Sequence, residues 1–401
     1  MRPFSSTISL EDARQRLAAA VKPIQRTEHA TLDRAVGRVA AADIVSPIDV
    51  PPFARSAMDG YALVSADTAS ASKNTPARLR LVDRVFTAEI SSTVVSAGNC
   101  VEIATGAPIP DGADAVVMVE ETGRAGDAIE IYAAARPGQN IGRRAADIAK
   151  RDVVIRCGDV LSPSRVGALA AIGCTEVLVF AQPRVALVST GNEVVEPGNA
   201  LQPGHIYDVN RFTLSAIVTL HGGVAEANQP AADSLDALLR AIDQCAAADL
   251  IVFSGGSSVG ERDLLVDAIA QRGTMIFHGI AVRPGKPTAF AIVGDTPFFG
   301  MPGNPTSCLS NAYILLVPYL RAMARLPVHA PRTVEVRLGK RIASAVGRHQ
   351  FYTVTLQDGV AYPAFKGSGD ITSLSQADGY IEIPANQNVV EEGERVMVTL
   401  F

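Results

Sequence analysis

At 401 residues the chain is too long for one ordinary core, and two to four domains are expected. A hydrophobic content of 48% against 19% charged residues describes a well-buried globular chain rather than a disordered one, and nothing in a net charge of −5 with a pI of about 5.8 suggests a nucleic-acid surface. Apolar runs stop well short of the ~20 residues that cross a bilayer, and residues 1–10 lack the apolar stretch of a secretion signal. The cysteines Cys100, Cys157, Cys174, Cys245 and Cys308 are scattered and odd in number, which suits reduced, buried thiols rather than a disulfide frame or a zinc site. A cytoplasmic protein that avoids membranes is expected.

Taken in chain order, Ser9 with Asp12 caps the apolar spacing Leu10, Ala13, Leu17, Val21 and predicts a helix. A second short helix is expected over 31–42. Residues 46–147 turn to short β-like runs, 79–85 and 115–119 among them, broken by Gly, Pro and Asp, and predict a β-rich domain. An apolar helix at 165–172 belongs with the N-terminal region. Residues 1–45 and 148–183 then form one discontinuous helical and linker domain, with the β-rich domain inserted.

From residue 184 the texture changes. Residues 185–188 and 250–253 are continuous apolar runs, and helical periodicity covers 212–220, 235–246 and 264–270. Fully apolar strands alternating with helices predict a mostly parallel sheet, covered on both faces, over 184–326. Ligands of such sheets bind at the carboxyl ends of the strands. Residues 327–401 return to alternating strands, at 334–338 and 395–398, and predict a small β-barrel or sandwich. The fold class is multidomain α/β plus β.

Four strings carry chemistry. Ser254-Gly255-Gly256-Ser257-Ser258-Val259-Gly260-Glu261-Arg262-Asp263 ends the second apolar run and can crowd backbone N–H groups around a phosphate, with Asp263 near the next helix. A tight strand-to-helix turn with a dipole-favoured Asp explains the same residues. Arg283-Pro284-Gly285-Lys286-Pro287 sets two cations on a rigid turn suited to phosphate or molybdate, with solvated turn charges as the plainer reading. It is not a P-loop, because Pro follows Lys286 and no GxxxxGK spacing precedes it. Met301-Pro302-Gly303-Asn304-Pro305 is a second Gly/Pro turn. Ser56-Ala57-Met58-Asp59-Gly60-Tyr61 follows Pro51-Pro52-Phe53 and contains the Asp-Gly of an ordinary hairpin. Beside these, Glu193 in Ser189-Thr190-Gly191-Asn192-Glu193 would reach the same crevice as Asp263, where two carboxylates could hold Mg²⁺; an exposed loop acid is the alternative. His278 and His349 are unclustered, which argues against a histidine metal site, though His349 beside Arg348 could touch an anion.

The four strings in this order resemble the molybdopterin molybdenumtransferases, the family of bacterial MoeA and the gephyrin E domain. Thr105-Gly106-Ala107-Pro108, and Pro137-Gly138-Gln139-Asn140-Ile141 with Asp147, extend the likeness through the N-terminal half. Gly347-Arg348-His349-Gln350-Phe351 and Lys366-Gly367-Ser368-Gly369 extend it through the C-terminal half. The resemblance implies an enzyme that takes adenylylated molybdopterin and molybdate, releases AMP and leaves molybdenum on the dithiolene. It implies Mg²⁺ and a homodimer whose site lies between the β-rich domain of one subunit and the α/β domain of the other. A molybdopterin adenylyltransferase and apo-molybdoenzymes are the implied partners.

Residue by residue, the resemblance makes Asp59, Thr105, Asp147, Glu193 and Asp263 catalytic, with Glu193 and Asp263 also on the metal. Gly255, Gly256, Ser258, Gly260, Pro302, Gly303 and Asn304 would bind the cofactor, and Arg283, Lys286, Pro287, Arg348 and Ser368 the anion. The chain departs from the family pattern at Ala54 (usually Asp), Ala145-Ala146 (Gly-Glu), Ser234 (a second acid), Arg283 (Lys) and Thr353 (Arg). Two other classes stand beside this one. The α/β region also resembles molybdopterin adenylyltransferases, which do not need the other domains. A non-catalytic, gephyrin-like scaffold is the second, and the retained Asp59, Glu193, Asp263 and Lys286 argue against it.

Overall fold

The computed structural model describes residues 7–255 and 264–401. The chain divides into two compact units: His29–Val36 with Ala40–Leu178, and the described residues of Met1–Glu28, Gly37–Val39 and Val179–Phe401.

In the first unit a six-stranded sheet runs in the order Ala115–Met118, Gly60–Leu63, Asn99–Ile103, Ala77–Val85, Ala128–Ile131, Thr122–Ala125. Alternate side chains feed two cores. Tyr61, Leu63, Leu79, Val117 and Ile129 pack on one face, and Ala62, Val85, Val101, Ile103 and Val116 on the other. The strand Gly60–Leu63, directly after Asp59, begins with glycine for a steric reason: a Cβ there would fall on the Val117 carbonyl oxygen. The helix Pro163–Ala171 forms where the apolar spacing predicts it, with Ser162 accepting from the Arg165 N–H as its cap. The helix expected over 31–42 does not form. A single 3₁₀ turn, Leu32–Arg34, is followed by bridges, and Gly37 at φ +80° reverses the chain.

In the second unit the helix Leu10–Ala20 carries the expected cap, with the Asp12 N–H donating to Ser9 Oγ at 3.0 Å. It buries Leu10, Ala13 and Leu17 in the same core as Val185, Leu187, Leu250 and Val252. The alternate residues Ala186, Val188, Ile251 and Phe253 enter a second core on the opposite face, packed by Leu238, Ile242, Leu265 and Ile269. Burial on both faces is the reason these runs are apolar throughout, at roughly 1.5–3 kcal/mol per large side chain. The sheet order is Val224–Ala227, Arg184–Ser189, Leu250–Ser254, Thr296–Met301, Ala289–Val293, Gly273–His278. The first three pairings are parallel and the last two antiparallel. The switch follows from the two-residue connection Gly294-Asp295, which can join only antiparallel neighbours.

Residues 333–400 settle the choice between barrel and sandwich. His349–Gln357 pairs with both Val360–Pro363 and Gly379–Ile383, and Thr333–Leu338 and Arg395–Leu400 complete a closed ring of five strands. Leu338, Val354, Ala361, Ile381 and Val398 fill it. The short strand Val282–Arg283 adds to its edge, with Arg283 opposite Gln350. Among the described residues no helix is long and apolar enough to cross a membrane. All five cysteines are unpaired.

Candidate active site

A cleft of about 1120 Å³ opens at the carboxyl ends of the parallel strands Arg184–Ser189, Leu250–Ser254 and Thr296–Met301. Its floor is made where the three strand ends converge. Gly255 N–H donates to Met301 O at 3.1 Å and Thr190 N–H to Ser254 O at 2.9 Å. Gly255, at φ +99°, would place a Cβ 2.5 Å from Thr190 O, so this approach requires glycine. Gly303 closes on the same point, its Cβ position lying 3.4 Å from Gly255 Cα.

One wall is acidic. The Glu193 carboxylate folds over Gly191, both oxygens 2.8 Å from where a Cβ would sit. Asp233 lines the same cleft, and its N–H donates to Asn192 Oδ1 at 3.1 Å. Burial pushes the Asp233 carboxyl above the ordinary Asp range, and the neighbouring Glu193 charge adds to it. Sequence reasoning missed Asp233. It centred on Ser234, which is the N-cap of Leu235–Gln244 and accepts from the Ala237 N–H at 3.3 Å. That capping serine leaves the preceding acid outside the helix, which is the signal that could have found it. Asp208 and Asn210 complete this side. Asp208 Oδ1 accepts from the Arg211 N–H at 3.0 Å, and Asn210 Nδ2 donates to Gly303 O at 2.8 Å.

Lys286 and Pro287 supply the basic side. Their turn is fixed from beneath by Asn311, which is wholly buried. Asn311 Nδ2 donates to Gly285 O at 2.8 Å and to Thr288 Oγ1 at 2.5 Å, while Thr288 Oγ1 donates to Gly285 O at 3.0 Å. Gly285, at φ +99°, leaves no room for a Cβ, because the Asn311 amide occupies that space. The barrel domain contributes Gly369 and Ile371. Its loop is strapped to the cleft by Asn304 Nδ2 donating to Ser368 Oγ at 3.0 Å, Thr306 N–H to Ser368 O at 3.1 Å, and Thr306 Oγ1 to Asp370 O at 2.8 Å.

Of the residues singled out in this unit, Glu193, Gly255, Lys286, Pro287, Pro302, Gly303 and Asn304 thus line one cleft, and Ser368 bonds to it. Gly256, Ser258, Gly260 and Asp263 lie outside the described residues. Arg283 is paired into the barrel edge, and Arg348 immediately precedes the strand it pairs with; among the described residues neither lines the cleft. His349 Nε2 lies 2.9 Å from Glu382 Oε2, and this hydrogen bond holds the Glu382 carboxyl below its usual range. Thr353 is buried in the barrel wall opposite Tyr380.

In the other unit Asp59 and Thr105 meet directly. The Thr105 N–H donates to Asp59 Oδ1 at 2.7 Å, and this bond with the Thr105 hydroxyl holds the exposed Asp59 carboxyl below its ordinary range. Asp59's own carbonyl accepts from the Val119 N–H at 3.1 Å, which fixes the turn. Asp147 is exposed, its N–H donating to Val50 O at 3.0 Å, two residues after Ala145 in a left-handed conformation at φ +57°.

Residues 8–173 match the MoeA N-terminal region (domain I and II), 186–322 the probable molybdopterin binding domain, and 335–401 the MoeA C-terminal region (domain IV). The chain belongs to the MoeA family. Its likeness to other MoeA-family proteins runs end to end. It is 34% identical to the molybdopterin molybdenumtransferase of Haemophilus influenzae, covering 98% of each chain. It is 33% identical to molybdopterin molybdenumtransferase 2 of Mycobacterium tuberculosis, over 96% of this chain and 97% of that one. A solved molybdopterin biosynthesis MoeA protein from Pyrococcus horikoshii superposes with a TM-score of 0.82 at 30% identity, covering 99% of this chain and 100% of the other.

Proposed function

We propose that the chain is a molybdopterin molybdenumtransferase of molybdenum cofactor biosynthesis. It takes adenylylated molybdopterin and molybdate, releases AMP and leaves molybdenum on the dithiolene. The observation that carries this reading is one cleft, at the ends of three parallel strands, that gathers Lys286, Glu193 and Asp233 around a backbone-rich floor. End-to-end likeness to proteins named for this reaction supports it.

The chemistry is electrostatic. Lys286 presents a point charge to phosphate or molybdate oxygens, with its turn held rigid by Asn311 so that no reorganisation is needed when charge develops. Glu193 and Asp233 fit a divalent cation: two oxygen-donor carboxylates crowd one wall, and burial and mutual repulsion raise the proton affinity of Asp233, a cost that a cation would relieve. Mg²⁺ bound there would neutralise phosphate charge; Asp263 is the further ligand implied by the resemblance. The Asp208–Arg211–Glu196 chain, with Arg211 NH2 2.6 Å from Glu196 Oε1, braces the same wall. Asp59, kept ionised by Thr105, serves the cleft of the second subunit in a two-fold dimer, and Asp147 and Ser368 are assigned to the remaining substrate contacts; for Arg283 and Arg348, which do not line the cleft, an anion role rests on the resemblance alone. No covalent protein intermediate is required. The protein works in the cytoplasm, between an adenylyltransferase that supplies its substrate and apo-molybdoenzymes that accept its product.

Incubating the purified protein with adenylylated molybdopterin, with and without molybdate, tests the reading. AMP release that depends on molybdate is expected. Release indifferent to molybdate, or none, refutes it.

A further inference from the structure

A second cavity, of about 310 Å³, shares Pro305 and Ile371 with the cleft and is otherwise separate from it. Its volume lies at the lower end of the roughly 300–1,000 Å³ of small-molecule sites. Its character differs from the cleft's. Leu309, Leu374, Tyr313 and Phe401 line it, and no charged side chain does so among the described residues. Tyr313 and Phe401 form one aromatic wall, their ring centres 5.1 Å apart and their planes 36° from parallel. Burial pushes the Tyr313 phenol up, so it stays neutral. Phe401 and Ile371 are 45% and 44% exposed, although both border this cavity. Single exposed apolar residues are ordinary, but two of them bordering one cavity form a patch that gains by being covered. Polar handles are hydroxyls: Thr213 Oγ1 donates to Asn210 O at 3.1 Å and can still accept, and Ser375 lies at an exposed position.

The substrate assigned above has charged phosphates and two uncharged nitrogen heterocycles, the flat purine of its nucleotide and a pterin with a planar pyrimidinone face. The cleft suits the phosphates and has one aromatic side chain in its lining, Tyr207, whereas the second cavity has a wall of two rings. We propose that the second cavity is the subsite for one of these rings, stacked against the Tyr313–Phe401 wall, with Ile371 as the partition between ring and phosphates. This rests on the reading of the cleft as the transferase site. The chemical class is a planar nitrogen heterocycle. The purine of the nucleotide and the pterin are its two sources.

Two substitutions outside the cleft test it. Phe401→Ala removes the wall, and Ser375→Trp fills the cavity from an exposed position where folding is not at stake. Binding of AMP, of 6-hydroxymethylpterin and of molybdate to wild type and to both variants is measured by calorimetry, together with KM and kcat for molybdate-dependent AMP release. Base-to-aromatic stacking is worth enough that both variants should bind one of the two ring ligands about ten-fold more weakly, and KM should rise by about as much. Molybdate affinity should not move, and kcat should change by no more than about two-fold. Loss on AMP assigns the purine; loss on the pterin assigns the pterin. Wild type that binds neither ring ligand, or folded variants that bind both as wild type does, overturns the subsite. Wild type that binds a ring ligand but releases no AMP would instead sink the transferase reading, and the calorimetric comparison would still decide the cavity.

Discussion

Asn311 offers the sharpest test of how the cleft is built, because it touches no ligand position and nonetheless fixes Lys286. Asn311→Ala removes two hydrogen bonds, to Gly285 O and Thr288 Oγ1. At roughly 0.5–1.5 kcal/mol each, that is about 1–3 kcal/mol. Gly285 O is not orphaned, since Thr288 Oγ1 still donates to it at 3.0 Å, so no full desolvation penalty follows. Deleting Asn311 Oδ1, a buried acceptor without a hydrogen-bond partner, offsets part of the loss, and the vacated space beside Gly285 adds to it. The net expectation is a destabilisation of about 2 kcal/mol. The catalytic consequence should be larger than that. A turn released by even ~1 Å can cost on the order of 10² in rate, through misplacement of Lys286.

Asn311→Asp sharpens the argument. It sets a carboxylate against the Gly285 carbonyl in a wholly buried position, so it should destabilise by roughly 3 kcal/mol or more, beyond the alanine variant. Urea midpoints report the stability order and molybdate-dependent AMP release reports the turn. An aspartate variant as stable as the alanine one would show that the amide does not donate to Gly285. Wild-type turnover in a destabilised Asn311→Ala protein would show that the turn holds itself without this residue.

The remaining predictions concern charge and backbone. Because the Asp233 carboxyl is raised, the folded state holds its proton more tightly than the unfolded chain, so ionised Asp233 costs stability at neutral pH and the cost disappears as pH falls through the raised value. Asp233→Asn should therefore unfold at higher urea than wild type at pH 7 in chelator, with the gap closing near pH 4, while losing on the order of 10²–10³ in rate; a variant less stable at pH 7 refutes this. Ala145 carries φ +57° where the resemblance expects glycine, and Ala145→Gly should stabilise by about 0.5 kcal/mol, a balance of relieved strain against added chain entropy that a lowered urea midpoint would contradict. Lys286→Ala should weaken molybdate binding by roughly 10- to 100-fold in calorimetry, as expected for one charge-assisted contact, and unchanged affinity would remove Lys286 from the anion site. If Asp59 serves a second subunit, mixing inactive Asp59→Asn and Asp233→Asn proteins should recover about a quarter of wild-type activity, since random exchange makes about half heterodimers with one intact site each. Exchange confirmed by mass spectrometry without recovery would exclude the shared site.

Much of the α/β region is legible in the sequence because burial on both faces leaves no room for polar alternation, as in residues 185–188 and 250–253. Where the pattern is weaker, single residues decide. The hydrophobic spacing of 31–42 suits a helix, but Gly37 in a left-handed conformation turns Ala35, Val39 and Ala40 into core contacts of separate short segments. The antiparallel edge of the sheet hangs on Gly294-Asp295, a turn too short to carry a crossover. In the site, the legible residues are those at strand ends, where glycine and proline mark the chain's exit. Asp233 is illegible because its place is set by the bridge between Thr190 and Ala231, a contact across some forty residues that spacing does not reveal. Asn311 is hidden for the same reason: a buried amide in a helix shows its purpose only when the turn it serves is in view.

The basic turn shows how a motif read as one unit can serve two surfaces. Its two cations are three residues apart and look equivalent as a string. The backbone separates them. Arg283 is held in register with Gln350 by strand pairing on the barrel, while Gly285 turns the chain so that Lys286 and Pro287 enter the cleft. Ser368 and Thr306 then tie the barrel's loop back to Asn304 at the cleft's edge. Barrel and α/β sheet are therefore joined on both sides of the same site, once through the turn and once through the loop. A rigid barrel docked in this way limits how far Lys286 can move from the floor at Gly255 and Gly303. That constraint, more than the number of charges, is what electrostatic catalysis by prearranged groups demands of this fold.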